Sequence, residues 1–119
     1  MTTPVFPNTN LLIAGERFPA SNGAVHPTIN PATAEKLIDV ASATADDARK
    51  AVDAAHNAFR HGPWPGLPAT ERGRILYKLA DLLETHADEV ATLESLDNGK
   101  PFFESRRIDV PLAVEALRY

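Results

Sequence analysis

The carboxylate of Asp97 is predicted to lie at the end of a helix, where a cation or hydrogen-bond donors would stabilise it. It begins the segment Asp97-Asn98-Gly99-Lys100-Pro101, which follows a run of residues with helical spacing. Asn98 and Gly99 can adopt the left-handed conformation that closes a helix, and Pro101 cannot continue it. A carboxylate in the last turn of a helix faces the negative end of the helix dipole, which disfavours it by a few tenths of a kcal/mol. A bound cation would compensate for this, and hydrogen bonds from local amides in the turn are the alternative.

The sequence contains none of the residue patterns that are typical of other catalytic or metal-binding sites. There is no cysteine, which excludes a cysteine nucleophile, thiolate metal ligands and disulfides. None of the four histidines has a second histidine or paired carboxylates at ligand spacing, so we expect no zinc site. No serine lies in a Gly-x-Ser-x-Gly turn, and no glycine-rich phosphate loop is present. The sequence therefore provides no catalytic residue and no cofactor-binding residue.

The length, composition and charge of the chain exclude several classes of protein. The chain has 119 residues, a hydrophobic content of 44% and a formal net charge of −4, which is typical of a globular protein. This charge gives no basic surface for nucleic acid or anionic lipid. No apolar run is long enough to span a membrane, and the N-terminus has no signal-peptide pattern. We expect no nucleic-acid partner, no membrane association and a cytoplasmic location.

The N-terminal third of the sequence predicts short strands. Residues 1–10 show no periodicity and are predicted to be a flexible arm. An apolar run covers residues 11–17, and Ser21-Asn22-Gly23 is predicted to be the turn of a hairpin whose second strand covers residues 24–29. A turn initiated by Asn30-Pro31 follows, and residues 36–43 are a third strand candidate.

Helical periodicity begins after Thr44. Thr44 and Asp47 fit a capping box, in which the hydroxyl and the carboxylate each accept a backbone amide of the first turn. A loop rich in glycine and proline at residues 61–66 ends this helix. A second helix is predicted over residues 69–84. Its apolar residues, which we expect to be buried, are Ile75, Leu76, Leu79, Leu82 and Leu83.

Two further helices complete the predicted fold. Thr85 with Asp88 matches the capping box pattern again, at the start of the helix that ends near Asp97. Asp109 is predicted to cap a last helix, with Pro111 tolerated in its first turn. The fold class expected for this chain is therefore α+β, with an N-terminal hairpin or strands followed by about four helices.

Several stretches of the sequence resemble the NAD(P)-dependent aldehyde dehydrogenase family. The run Leu93-Glu94-Ser95-Leu96 leading into Asp97-Asn98-Gly99-Lys100-Pro101 is similar to a signature of that family. The other matching stretches, in chain order, are Leu12-Ile13-Ala14-Gly15-Glu16, Asn30-Pro31-Ala32-Thr33, Arg72-Gly73-Arg74-Ile75-Leu76 with Leu79-Ala80-Asp81-Leu82, and Leu117-Arg118-Tyr119. The resemblance implies a parent enzyme of α/β fold. Residues 11–119 would be the N-terminal part of its cofactor-binding domain, cut within a helix because no helix stop signal follows.

The resemblance also implies an activity. Aldehyde dehydrogenases oxidise an aldehyde to a carboxylic acid with NAD or NADP, through attack of a cysteine thiolate on the carbonyl carbon. Because this chain contains no cysteine, we expect it to be inactive alone and to supply scaffold to a complete protein. That complete protein would bind an aldehyde substrate and form a homo-oligomer, either a dimer or a tetramer.

Two sites are implied by the resemblance. In the family, sodium or potassium is held between an aspartate at the position of Asp97 and backbone carbonyls just before the Asn-Pro turn, which here belong to Thr28 and Ile29. The helix that contains Ile108 and Leu112 forms one wall of the aldehyde tunnel in the family. Apolar side chains at these two positions imply an apolar wall, and plain core packing is the alternative.

The sequence departs from the family pattern at Ala34, where the family usually has glycine. If that turn needs a positive φ, alanine costs roughly 1 kcal/mol. The competing function is a non-catalytic helical module that binds another protein, because the alanine-rich stripe of the first helix would also suit docking.

Overall fold

The computed structural model describes Phe6 and residues 8–119. The predicted flexible arm of residues 1–10 lies mostly outside these described residues. They form two compact units, which we call the hairpin unit (Phe6–Thr28 with Ile38–Leu67) and the helical unit (Ile29–Leu37 with Pro68–Tyr119). Four short strands precede the helices in the chain, which confirms the predicted α+β arrangement.

The first two strands form a tight antiparallel hairpin in the hairpin unit. Strand β1 (Leu11–Ile13) pairs with β2 (Glu16–Phe18), and Ile13 lies opposite Glu16. The two-residue loop is therefore Ala14-Gly15, with φ angles of 53° and 85°. A loop of this length favours a type I′ turn, which requires positive φ at both central residues. Our prediction of the hairpin turn at Ser21-Asn22-Gly23 is wrong, because alanine at a left-handed position carries no turn signal in the sequence.

The remaining two strands form a second two-stranded sheet. Strand β3 (Val25–Ile29) pairs with β4 (Lys36–Ala41), which confirms two of the predicted strands, each somewhat shorter than predicted. The turn at residues 21–23 precedes β3, and there the Gly23 N–H donates to the Ala20 carbonyl at 2.8 Å. Thr9, from the described part of the predicted arm, accepts a hydrogen bond from the Ala41 N–H at 3.0 Å.

A capping box starts helix α1 (Ala45–His61), as predicted. The Thr44 hydroxyl oxygen accepts the Asp47 N–H at 3.2 Å, and the Asp47 carboxylate accepts the Thr44 N–H at 3.0 Å. The helix ends at Gly62, whose N–H donates to the Ala58 carbonyl at 2.9 Å, and a 3₁₀ turn follows at Trp64–Gly66. Both ends of α1 are therefore set by local sequence.

The Asp47 carboxylate also binds a second segment of the hairpin unit. The Ser21 N–H and the Ser21 hydroxyl both donate to its Oδ2 at 3.1 Å. Asp47 is only 5% exposed. Hydrogen bonds from the backbone of Thr44 and of Ser21 to the charged carboxylate lower the pKa of Asp47 from 3.8 to about 2. The cap of α1 and the turn after β2 are thus held by one ionised side chain.

Helices α2 (Ala69–Thr85) and α3 (Ala87–Asn98) lie in the helical unit and share the junction residue His86. The capping box predicted at Thr85 and Asp88 is wrong. The Thr85 hydroxyl donates back to the Asp81 carbonyl at 2.8 Å, so Thr85 is the last residue of α2 and not the cap of α3. Asp88 instead forms an ion pair with Arg106.

The C-terminal helical segment begins earlier than predicted. Helix α4 (Phe102–Glu104) continues through a π-helical turn (Ser105–Asp109) into α5 (Val110–Arg118). Asp109 has helical backbone angles and makes no cap hydrogen bond, so its predicted capping role is wrong. Pro111 has no N–H and its ring would clash with a regular α-helical turn, whereas the wider π turn accommodates it. There the Val110 N–H donates to the Ser105 carbonyl, five residues back.

A small core holds the helical unit together. Its members are Ala80, Ala87, Ala91, Val110 and Val114, with Leu83, Val90 and Leu117 packed against it. Arg118 adds ion pairs to Asp81 and Glu84 of α2, both at 2.7 Å. The predicted burial of α2 is wrong for most of its large side chains, because Ile75, Leu76, Leu79 and Leu82 are 37–59% exposed. Among the described residues, no helix has both the length and the apolar character that a membrane crossing requires.

Candidate functional site

The end of α3 has the geometry that its sequence predicts. Gly99 follows the last helical residue, Asn98, with a left-handed φ of 81°, and its N–H donates to the Ser95 carbonyl at 3.0 Å. The Asn98 side-chain oxygen accepts the Lys100 N–H at 2.7 Å. Glycine reaches this conformation without strain, which is why it closes the helix.

Close packing against Pro31 is a second reason for glycine at position 99. A Cβ atom on Gly99 would lie 2.9 Å from the Cγ of Pro31, closer than two carbon atoms can pack. The two residues are far apart in sequence, and both belong to the helical unit. The Asn30-Pro31 turn is therefore in contact with the turn that ends α3.

The turn at Pro31 is well ordered by hydrogen bonds. The Asn30 N–H donates to the Glu35 carbonyl at 2.9 Å, and the Ala34 N–H donates to the Asn30 carbonyl at 2.8 Å. The Asn30 side-chain oxygen accepts the Ala32 N–H at 2.9 Å. Ala34 has a φ of 59°, so the turn does require the positive φ that glycine would adopt more easily.

The structure brings two of the three predicted cation ligands into neighbouring turns. Ile29 directly precedes the Asn30-Pro31 turn, and Asp97 directly precedes Asn98 and Gly99. Both belong to the helical unit and are exposed. Thr28 belongs to the hairpin unit, where its hydroxyl donates to the Ile38 carbonyl at 3.4 Å. Within the described residues, no cluster of three or more His, Cys, Asp or Glu side chains could hold a metal, so a cation here would depend on backbone carbonyls.

The local amides that could satisfy Asp97 already donate elsewhere. The Gly99 N–H is bound to the Ser95 carbonyl, and the Lys100 N–H is bound to the Asn98 side chain. These were the natural donors for a hydrogen-bonded Asp97 in the turn. Neither of these two amides therefore donates to Asp97.

Lys100 and Asp109 are additional residues of this region that the sequence does not identify. The Lys100 ammonium donates to the Asp109 carboxylate, and both side chains are about 30% exposed. The hydrogen bond to Asp109 raises the pKa of Lys100. This ion pair connects the turn after α3 to the π-helical turn. The spacing of nine residues matches no helical pattern, so only the folded chain reveals it.

The predicted tunnel-wall residues lie away from the core of the helical unit. Ile108, in the π-helical turn, is 48% exposed, and Leu112, in α5, is 57% exposed. Val110 and Val114 from the same segment fill the core instead, and each is less than 5% exposed. Plain core packing therefore does not account for Ile108 and Leu112 among the described residues. The two side chains present apolar surface that a larger structure could use.

Comparison with known proteins connects this turn and helix to one family. The profile of the aldehyde dehydrogenase family matches residues 18–119. A cytosolic aldehyde dehydrogenase of Elephantulus edwardii is 43% identical over 113 residues, which are 94% of this chain and 23% of that protein. A mitochondrial protein of Arabidopsis thaliana, aldehyde dehydrogenase family 2 member B4, is 43% identical over 112 residues, 94% of this chain and 21% of its own length.

Solved structures agree with the sequence relatives. The NAD+ complex of the aldehyde dehydrogenase from Bacillus cereus superposes with a TM-score of 0.90 at 42% identity, and covers 95% of this chain and 23% of that one. The chain thus spans about a fifth of the length of its relatives. Because the family match includes the Asn-Pro turn, the end of α3 and the π-helical segment, the chain belongs to the aldehyde dehydrogenase family.

Proposed function

We propose that this chain is the N-terminal portion of an oxidoreductase that oxidises aldehydes to carboxylic acids with NAD(P)+. The observation that carries the proposal is the family match over residues 18–119. A related structure contains NAD+, which supports NAD as the cofactor of a complete protein. The use of NADP is a further part of the proposal.

The part of the reaction that this chain could perform is limited by its residues. In the family's chemistry a thiolate attacks the aldehyde carbonyl, hydride leaves to the nicotinamide, and activated water cleaves the thioester. Since the sequence contains no cysteine, no residue here can form the thioester. The role of the chain is to position other parts of the enzyme, and the chain is inactive alone.

A monovalent cation, sodium or potassium, is the ligand proposed for Asp97 with the backbone carbonyls of Thr28 and Ile29. The contact between Gly99 and Pro31 supports the pairing of Asp97 with Ile29, since it holds together the two turns that follow these residues in the helical unit. The engagement of the Gly99 and Lys100 amides supports it also, because Asp97 then lacks these local donors. Hard cations of this kind prefer oxygen ligands such as carboxylates and carbonyls.

Ile108 and Leu112 are proposed to line the aldehyde tunnel. Their exposure in a segment whose Val110 and Val114 are buried in the core supports this role. An apolar wall would favour aldehydes with an apolar substituent. The complete protein is further proposed to be a cytoplasmic homo-oligomer, a dimer or tetramer, although the relatives' names include both cytosolic and mitochondrial proteins.

The activity is tested on the product of the complete coding sequence that contains this chain. That product is expected to reduce NAD+ or NADP+ only when an aldehyde is added, and to release the corresponding carboxylic acid. The 119-residue chain, purified in the same way, is expected to give no reduction above a heat-inactivated sample. Aldehyde-independent turnover by the complete product, or activity of the 119-residue chain, would contradict the proposal.

The cation site is tested by thermal unfolding of the complete protein in potassium, sodium and tetramethylammonium chloride. A cation at a hundredfold excess over its dissociation constant stabilises by about 2.7 kcal/mol, so the wild type is expected to melt higher in sodium or potassium. Asp97→Asn should remove this difference, while the control Asp53→Asn, on the exposed side of α1, should keep it. Equal melting temperatures of the wild type in all three salts would exclude the site.

A further inference from the structure

The chain contains two Asn-Gly dipeptides, Asn22-Gly23 and Asn98-Gly99. In such a dipeptide the backbone nitrogen of glycine can attack the side-chain amide carbon of asparagine, because glycine has no Cβ to hinder the approach. The two dipeptides lie in different surroundings. We propose that Asn22 is a site of spontaneous deamidation in the folded chain and that the fold protects Asn98.

The covalent change at Asn22 requires only water as a co-reactant. The Gly23 nitrogen bonds to the Asn22 Cγ and loses its proton, the Cγ–Nδ2 bond breaks, and ammonia leaves. The product is a five-membered succinimide ring. Addition of water to one of the two ring carbonyls then opens it, giving aspartate or isoaspartate at position 22. No oxidant or reductant takes part, and each conversion adds one negative charge to the chain.

Asn98 is protected by regular structure and by packing. It is the last residue of α3, and the attacking nitrogen of Gly99 is committed to the Ser95 carbonyl at 3.0 Å as the helix cap. Gly99 is also tightly packed, since an added Cβ would meet Pro31 at 2.9 Å. To form the ring, Asn98 must leave its helical conformation, so the last turn of α3 must open first.

Asn22 has fewer restraints. It is exposed and lies in a turn outside helices and strands. The Gly23 N–H makes a single turn hydrogen bond, to Ala20 at 2.8 Å, and nothing lies within 4 Å of where a Gly23 Cβ would be. The Asn22 side-chain oxygen accepts the Ala24 N–H at 2.9 Å, as the Asn98 oxygen accepts the Lys100 N–H at 2.7 Å, so this bond does not distinguish the two sites. What distinguishes them is that opening the turn at Asn22 does not unwind a helix.

Deamidation at position 22 would act on the hydrogen-bonded cluster beside it. Ser21 donates its N–H and its hydroxyl to Asp47, the buried carboxylate of the capping box. Isoaspartate lengthens the backbone of the turn by one methylene, and either product places a new carboxylate next to Ser21. We expect the aged chain to lose part of the stability that this cluster contributes at neutral pH, because two like charges disfavour each other.

The experiment follows both sites by peptide mass spectrometry during incubation of the chain in mildly alkaline buffer, with and without urea. In urea the two dipeptides should convert at similar rates. In the folded chain, Asn98 should convert at least about tenfold more slowly than in urea, since opening must come first, and Asn22 should change by only a few fold. Peptides that co-elute with isoaspartyl standards identify the product.

Two matched variants show which of the two asparagines gives rise to the acidic form of the chain. Asn98→Gln should leave the growth of the acidic form of the folded chain unchanged, and Asn22→Gln should abolish most of it. Equal protection of Asn22 and Asn98 in the folded chain, or conversion of Asn98 at its urea rate without urea, would overturn the proposal. Circular dichroism at each time point establishes that the chain remains folded during the incubation.

Discussion

Two alanines of this chain have backbone conformations that disfavour any side chain. Ala14 and Ala34 have φ angles of 53° and 59°, where the Cβ atom approaches the following carbonyl oxygen. The sequence pattern raised this question for Ala34 alone, because the related family has glycine there. Ala14 could not be recognised in the same way, since no glycine is missing at that position. In both turns the hydrogen bonds of the surrounding structure outweigh the local strain.

Ala34→Gly is therefore expected to stabilise the chain by about 1 kcal/mol, the usual cost of a left-handed alanine reduced by the greater backbone entropy of glycine. Urea unfolding followed by circular dichroism measures the change. The matched control is Ala55→Gly, at an exposed position of α1, which should destabilise by about 1 kcal/mol because glycine is a poor helix former. A loss of stability in Ala34→Gly would show that the strain of the left-handed alanine is smaller than the entropy cost of glycine.

Gly99→Ala is expected to destabilise the chain by about 2 to 3 kcal/mol, since the new Cβ meets both the positive φ and the Cγ of Pro31. The control is Gly73→Ala within α2, where φ is not positive and nothing lies within 4 Å of the added carbon. That substitution should raise stability by up to about 1 kcal/mol. If the two variants have the same urea midpoint, neither the left-handed conformation of Gly99 nor its contact with Pro31 is formed in solution.

At the scale of elements, the capping box of α1 should make the stability of the fold depend on pH in acid. Because the pKa of Asp47 is about 2 in the folded chain and near 3.8 when unfolded, the unfolded state takes up a proton first as the pH falls. The stability contributed by the ionised carboxylate is therefore fully present above about pH 4 and is lost as the pH falls toward 2.

Asp47→Asn is expected to lower the urea midpoint at neutral pH and to reduce the decline of stability between pH 4 and pH 2. Its control is Asp46→Asn, whose carboxylate is 74% exposed and pairs with Arg49 on the surface of α1. Surface pairs contribute little, so this variant should keep the wild-type acid dependence. An unchanged acid profile in Asp47→Asn would exclude Asp47 as its cause.

The capping-box pattern occurs twice in the sequence, and it predicts the start of a helix correctly at one place and wrongly at the other. Thr44 and Asp47 form a capping box because nothing before them is helical, and the extended Thr44 backbone leaves its side chain free to cap. Thr85 and Asp88 match the same pattern, but α2 continues through Thr85 and its hydroxyl bonds back to Asp81. Local signals predict an element only where tertiary packing does not extend the element before it.

Part of the candidate site could be predicted from the sequence, and part of it could not. The helix stop at Asn98 and Gly99 is local, so the sequence predicts it correctly. The contact of Gly99 with Pro31 and the ion pair of Lys100 with Asp109 depend on the folded arrangement of the helical unit, and no periodicity encodes them. The π-helical turn before Pro111 was also not predictable, because proline is equally compatible with the first turn of a new helix.

At the scale of the whole molecule, the described residues have more exposed large apolar side chains than buried ones. In the helical unit, the small residues Ala80, Ala87 and Ala91 are buried while larger neighbours on α2 face solvent. In the hairpin unit, Val52 and Phe59 of α1 are 66% and 69% exposed. Scattered exposed apolar residues are normal, but large side chains repeated along one helix usually indicate a surface that another structure covers. The chain spans about a fifth of the length of its relatives.

The purified chain is therefore expected to self-associate, and residues on α2 should control the process. Burial of one leucine side chain contributes about 1.5 to 3 kcal/mol, so Leu79→Gln combined with Leu82→Gln should weaken association by at least about tenfold. Sedimentation velocity across a dilution series measures the effect. Lys78→Gln, on the same helix and also exposed, is the control and should associate like the wild type. A wild type that stays monomeric at every concentration, or a double variant that associates as strongly as the control, would show that the exposed face of α2 does not drive assembly.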